Sequence, residues 1–227
     1  MSIKKCHKQD EFVARIEGAL NTRMGPVSCK IVDQRGMADV MSRAGWSRNE
    51  ATGVVGFQVD KDVYVLNSAP WTVLHELIHR AGVNADRISR FVAEGLTEAI
   101  ACELKQSPDE HKATYPTEVG WVKGTLLPRL NMSAVELGRV IVHSKDAPRT
   151  VAELMVKAKP GSSISNLTNQ LRPQANSQPS FNRSGCATRT GSAALALDYN
   201  TSEGVGWMLL VAGVALVFPS IFRRGLR

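Results

Sequence analysis

The stretch "TVLHELIHR" occupies residues 72–80. His75 and His79 are four residues apart, so on an α-helix they share one face, a turn above one another. Both imidazoles can then reach a single metal ion, at about 2.0–2.1 Å each. Glu76 directly follows the first histidine, where its carboxylate can take a proton from a water at that metal. The bland alternative is two core histidines a turn apart, because a pattern this short arises by chance in on the order of one chain in a hundred of this length. A third ligand is missing from the motif, and "FVAEGLTEAIA" (91–101) offers one. Glu94 and Glu98 are again four apart, on a face turned away from Phe91, Val92, Leu96 and Ala99. The alternative for this pair is a solvated helix face. Gly95 lies between them, and a mid-helix glycine costs about 1 kcal/mol relative to alanine. The spacing therefore predicts a close approach between this helix and the one carrying the histidines.

These side chains need elements to hold them. Pro70 suits a first helical turn, Ser68 can cap it, and Gly82 suits its end, so a helix is expected across the histidine pair. A second helix is expected from about Asp86 to Lys105, with Ile88, Phe91, Val92, Leu96, Ala99 and Ile100 as its apolar stripe. Upstream, Val54–Val59 and Val63–Leu66 flank Asp60-Lys61-Asp62, which reads as a β-hairpin. Phe12, Val13, Ile16 and Leu20 predict a helix over 9–20. "PVSCKIVD" (26–33) reads as a strand, and "ADVMSRAGW" (38–46) as a short helix or a loop. Further helices are expected at about 117–130, 133–143 and 149–158, with Pro128 kinking or ending the first.

The chain has 227 residues and a formal net charge of +7. Of this, +5 falls in residues 159–227 and only +2 in 1–158. The nearly neutral head lacks the concentrated basic face of a nucleic-acid binder, so no nucleic-acid partner is expected. Cys6, Cys29, Cys102 and Cys186 form no C-x-x-C pair, and no apolar run of signal-peptide length opens the chain. The cysteines are therefore read as reduced, with Cys102 a small core residue. From Lys159 the sequence turns to Ser, Asn, Gln, Pro and Gly, which cannot bury enough surface to offset its ordering entropy. The expected organisation is a folded head over 1–158, a flexible linker over 159–203 and a C-terminal anchor over 204–227. "VGWMLLVAGVALVFPSIF" (205–222) carries no charge. As a helix it spans about 27 Å, enough for a single membrane crossing, with Trp207 at one interface and Arg223, Arg224 and Arg227 beyond the other.

"HELIH", a short connection and "EGLTE" on a second helix resemble the gluzincin clan of zinc metallopeptidases, in particular its compact minimal-domain members. The resemblance covers about residues 50–105. It implies an α+β fold: a small zincin-like domain with a hairpin or sheet, an active-site helix and a helical C-terminal part. It implies one Zn2+ per chain held by His75, His79 and Glu94, with Glu98 orienting a ligand histidine. It also implies a strand whose edge pairs with an extended substrate, for which Val54–Val59 is placed correctly, with Gly56 and Phe57 as the substrate-binding positions. The spacing of fourteen residues between His79 and Glu94 is shorter than in the larger members.

The activity so implied is hydrolysis of a peptide bond by a zinc-activated water, with Glu76 as general base and then proton donor to the leaving amine. The family adds a donor for the oxyanion. Candidates are His111, Tyr115 and His143, with Tyr115 preferred as a catalytic residue because it closely follows the second helix. A peptide or protein substrate suits the edge strand, and a peptidoglycan cross-bridge is the alternative substrate. A rival reading is a membrane-anchored structural or interaction protein, such as a virion membrane component, carrying a metallopeptidase-like zinc-binding domain. The arginines beyond 205–222 favour an external head, whereas the lack of a leader favours a head facing the cytoplasm. The expectation rests on the second argument, with a virion membrane as the viral equivalent. Oligomeric state is not legible in the sequence.

Overall fold

The computed structural model describes residues 4–49, 51–112 and 114–173, together with the backbone of 186–189. Residues 205–222, expected to cross a membrane, lie outside the described residues. Among the described residues no helix is long and apolar enough to cross one.

The domain is α+β. Strand β1 (Lys4–Lys5), helix α1 (Gln9–Leu20), strand β2 (Ser28–Val32) and helix α2 (Gln34–Arg43) precede the expected hairpin of β3 (Val54–Val59) and β4 (Asp62–Leu66). The hairpin turn needs a left-handed residue, and Asp60, one of the side chains that tolerate this conformation, takes φ 51°. Asp33 starts α2 by accepting a hydrogen bond from the Gly36 amide at 2.7 Å. That cap moves the helix upstream of the expected 38–46. The sheet order is β1-β2-β4-β3-β5, where β5 is Cys186–Arg189. The β2–β4 pair is parallel, and the other pairs are antiparallel.

After the sheet come α3 (Val73–Arg80) and α4 (Arg90–Leu104), which carry the histidines and the acids. Pro70 does not open α3 itself. It opens a 3₁₀ turn over Pro70–Thr72 that feeds α3, and Ser68 is not the cap. The second helix starts four residues later than expected, and residues 81–89 form the connection. Helices α5 (Pro116–Trp121) and α6 (Leu127–Leu130) are joined by a π-helical turn over Val122–Leu126. Pro128 thus neither ends nor sharply breaks the run. The wider turn before it absorbs the hydrogen bond that proline cannot donate. Helices α7 (Ala134–His143) and α8 (Ala147–Ala158) complete the head, α7 opening on a capping box formed by Ser133 and Glu136.

The sheet separates two cores. Met37, Val40, Met41, Phe57 and Leu66 pack between the sheet and α2. The larger core gathers Ile16 and Leu20 of α1, Leu74 and Ile78 of α3, Leu96 and Ile100 of α4, and Leu137 and Ile141 of α7. α3 is buried on every side from Val73 to His79. An eight-residue helix cannot hold itself together in water, so its neighbours fix it, and the histidines with it.

Three expectations are corrected. Cys6 and Cys29 are joined by a disulfide, with a Cα–Cα distance of 5.3 Å. Pairing of β1 with β2 sets the two cysteines opposite one another, and no local spacing in the sequence encodes that. The linker expected from Lys159 also begins with structure. Helix α9 (Ile164–Leu171) packs on α8, buries Leu171, and accepts a hydrogen bond at Leu171 O from the Ser89 amide at 2.7 Å. Its apolar residues are few, but buried Leu171 and half-buried Leu167 meet an existing surface, while Ile164 is exposed. Cys102, expected in the core, is half-buried with a free thiol.

The bridge closes a loop with a sequence separation of 23. Replacing Cys6 and Cys29 together by serine should lower the unfolding free energy by about 3 kcal/mol. Urea denaturation measures this, and a non-reducing peptide map should show residues 6 and 29 linked. Unlinked peptides from an untreated sample, with stability unchanged in the variant, would overturn the assignment.

Candidate metal centre

Helix α3 presents His75 and His79 on one face, and α4 crosses that face with Glu94. The two Nε2 atoms are 2.9 Å apart, and Glu94 Oε2 lies 3.2 Å from His75 Nε2 and 3.1 Å from His79 Nε2. All three residues are buried, and they form a group able to hold a metal ion. Ligands at about 2.0–2.1 Å from a tetrahedral centre lie about 3.3–3.4 Å from one another. The three atoms are therefore within a few tenths of an ångström of the spacing a small cation imposes.

Each ligand is held from behind. His79 Nδ1 donates to Val83 O at 2.7 Å, which leaves Nε2 as the metal-facing nitrogen. Thr97 of α4 donates to the same carbonyl at 3.2 Å. His75 Nδ1 faces Glu98 Oε1 at 3.4 Å. The second oxygen of Glu94 faces Arg90 Nε at 3.5 Å. Glu98 is itself fixed by His111 Nε2 at 2.6 Å, by the Thr114 amide at 3.0 Å and by the Thr114 hydroxyl. His111, expected as an oxyanion donor, is thus engaged with Glu98. His143 lies on the end of α1, hydrogen-bonded to Leu20 O at 3.1 Å. The sequence offered no sign of Thr114, Thr97, Val83 or Arg90, since each acts through a contact set by the fold.

Tyr115 stacks on the His75 ring with a centroid separation of 5.7 Å. Gly95 explains its presence there. A Cβ on Gly95 would meet Glu118 O at 2.5 Å, so α5 lies directly on α4 at this glycine. The close approach expected at Gly95 exists, but its partner is α5 and not α3. Tyr115 immediately precedes α5 and is brought to the histidines by this packing.

Glu76 is fully buried. A Cβ on Gly56 would lie 2.3 Å from Glu76 Oε1, so β3 makes room for the carboxylate by lacking a side chain at this point. Phe57 faces the opposite side of the sheet, as strand alternation requires. Its ring is buried edge-on against Trp46. Phe57 therefore has only its backbone to offer a substrate. No family model, no curated protein and no solved structure matches the chain.

Burial alone would lower the pKa of His75, but hydrogen bonds and charge from Glu94 and Glu98 raise it to about 10. Burial pushes Glu94 upward, and the charges and hydrogen bonds of His79 and His75 outweigh this and hold it well below the usual carboxylate range. Without a metal, His75 is a cation paired with two carboxylates. Its folded pKa is raised, so this stabilisation is complete below the unfolded value of about 6.5 and is lost as pH rises through about 10. A metal must displace that proton. Uptake of a metal ion near pH 7.5 should therefore release about one proton, and affinity should rise about tenfold per pH unit around neutrality. Calorimetry in buffers of different ionisation heat counts the proton, and a binding heat independent of buffer would refute the coupling.

Proposed function

We propose that this domain is a zinc-dependent peptidase of the gluzincin type, anchored through residues 205–222. The observation that carries the reading is the convergence of His75, His79 and Glu94 on one point, with Glu98 behind His75 and Glu76 buried against the strand at Gly56. The donor set, two buried imidazoles and one buried carboxylate, suits zinc better than hard cations that take all-oxygen ligands. Bound zinc supplies Lewis acidity and lowers the pKa of water toward about 7.

This chain's residues do the rest. Glu76 accepts the proton of the attacking water and passes it to the leaving amine as the C–N bond breaks. Its burial against β3 keeps it from exchanging partners with bulk solvent. Glu98 holds the His75 ring, and His111 and Thr114 hold Glu98. The Tyr115 hydroxyl donates to the substrate carbonyl oxygen as negative charge develops there. The backbone of β3 around Gly56 and Phe57 aligns an extended peptide. The Cys6–Cys29 bridge supports a head on the oxidising side of its membrane, opposite to the cytoplasm-facing orientation expected from the sequence. Protease added outside right-side-out vesicles should digest this head, and protection of the head would refute that placement.

Metal analysis of the purified chain should find one zinc, and Glu76→Gln should keep it while peptide hydrolysis falls by several orders of magnitude. A Gln variant that cleaves as fast as the parent would remove Glu76 from the mechanism. A folded chain that takes up no zinc would remove the reading altogether. A purely structural or interaction component would keep its phenotype in the Gln variant.

Gly56→Ala is a sharper test of the strand's part. The new methyl displaces the Glu76 carboxylate and leaves the ligands in place, so zinc content should hold while kcat falls at least about tenfold. Unchanged turnover would show that Glu76 does not work from the position it occupies beside β3.

A further inference from the structure

β3 is bordered by β4 on one side, and its other side is the edge at which a peptide would add as a strand. That edge is taken. The backbone of Cys186–Arg189 pairs with it antiparallel, with Val54 opposite Arg189, Gly56 opposite Thr188, Phe57 opposite Ala187 and Gln58 opposite Cys186. The pairing is irregular between Val54 and Gly56. Thr188 thus lies opposite the glycine against which Glu76 packs. β5 also borders α3, the helix of the histidine pair. Fourteen residues separate Leu171 at the end of α9 from Cys186. Covalent attachment within one chain gives a segment an effective concentration on the order of millimolar at a site within its reach.

We propose that residues 186–189 are a tethered ligand of the β3 edge, and that a peptide supplied by another molecule must displace them. The inference rests on the reading of β3 as the peptide-aligning strand, and it names what regulates that strand. Main-chain pairing gives such a segment its affinity, so large apolar side chains are not needed. While it stays paired, the apparent affinity for any other peptide falls by the fraction of open edges.

The test uses the whole chain and needs neither metal nor turnover. Ala187→Pro with Thr188→Pro removes two amide donors from β5 and leaves the head's own sequence untouched. In the parent, hydrogen exchange should show protection at the amides of β3 that face β5. In the variant those amides should exchange freely, while the alternating amides that face β4 stay protected and report an intact fold. A synthetic peptide of residues 183–192, followed by fluorescence anisotropy without added metal, should bind the variant about tenfold or more tighter than the parent. Equal exchange in parent and variant, or equal peptide binding, overturns the proposal. A chain that binds no zinc but passes both measurements would lose the peptidase reading and keep this one. A zinc peptidase that fails them would lose only the tethered strand.

Discussion

The whole arrangement depends on ionisable groups kept out of water around α3 and α4. His75, His79, Glu76, Glu94 and Glu98 are each no more than 2% exposed. Removing a charge from water costs several kcal/mol unless partners replace the lost hydration. Here each group is a condition for the others. Glu94 is buried because two imidazoles meet it, and His75 is buried charged because two carboxylates meet it. The helices are therefore fixed in rotation about their own axes, since a small turn of α4 would leave an unpaired charge in the core. The result is a set of donors already gathered for a cation.

The rest of the head is organised around this pair. Two glycines do this by letting backbones come closer than a side chain would allow. Gly95 admits α5 onto α4 and so brings Tyr115 to the face of His75. Gly56 admits Glu76 against β3 and so places a carboxylate beside a strand edge. The cost of glycine in a helix or a strand is thus met by positions that cannot be reached otherwise. A second belt of charge ties the first helix to the segment leading into the site. Buried Glu110 accepts from Arg15 of α1 at 2.7 Å and from Lys8 at 2.9 Å, one residue before His111, which holds Glu98. Burial pushes the Glu110 pKa up, but Arg15, the Gln106 amide and Lys8 together bring it down to about 2. It therefore remains an anion over the whole ordinary pH range.

What was legible in the sequence was periodic or local. α1 follows from Phe12, Val13, Ile16 and Leu20, and the hairpin follows from two β-rich runs around Asp60. His75, His79 and Glu94 were legible because helix geometry fixes the relation between residues four apart, and a short connection brings the next helix back. What was not legible depends on contacts distant in sequence. The Cys6–Cys29 bridge requires β1 beside β2. Thr114 reaches Glu98 only because α5 is drawn in at Gly95. His111 could be named as a candidate from its type, but whether it faces substrate or Glu98 is decided by a loop whose path leaves no periodic trace. The helical start at Pro70 was misplaced for a related reason: proline and serine fit a 3₁₀ turn as well as an α-helix.

The region after Lys159 shows where composition reasoning stops. Scarcity of large apolar residues says that a segment cannot form a core of its own. It does not say that the segment cannot dock on a core already formed. α9 does so with Leu167, Thr168 and Leu171, because α8 and the start of α4 supply the opposing surface. β5 goes further, since a strand added to an edge needs its main chain and hardly its side chains. An uncovered β3, with Val54, Val55, Gly56 and Phe57 in succession, would offer any extended chain a template. β5 covers that edge by its main chain, with Thr188 opposite Gly56 and Ala187 opposite Phe57.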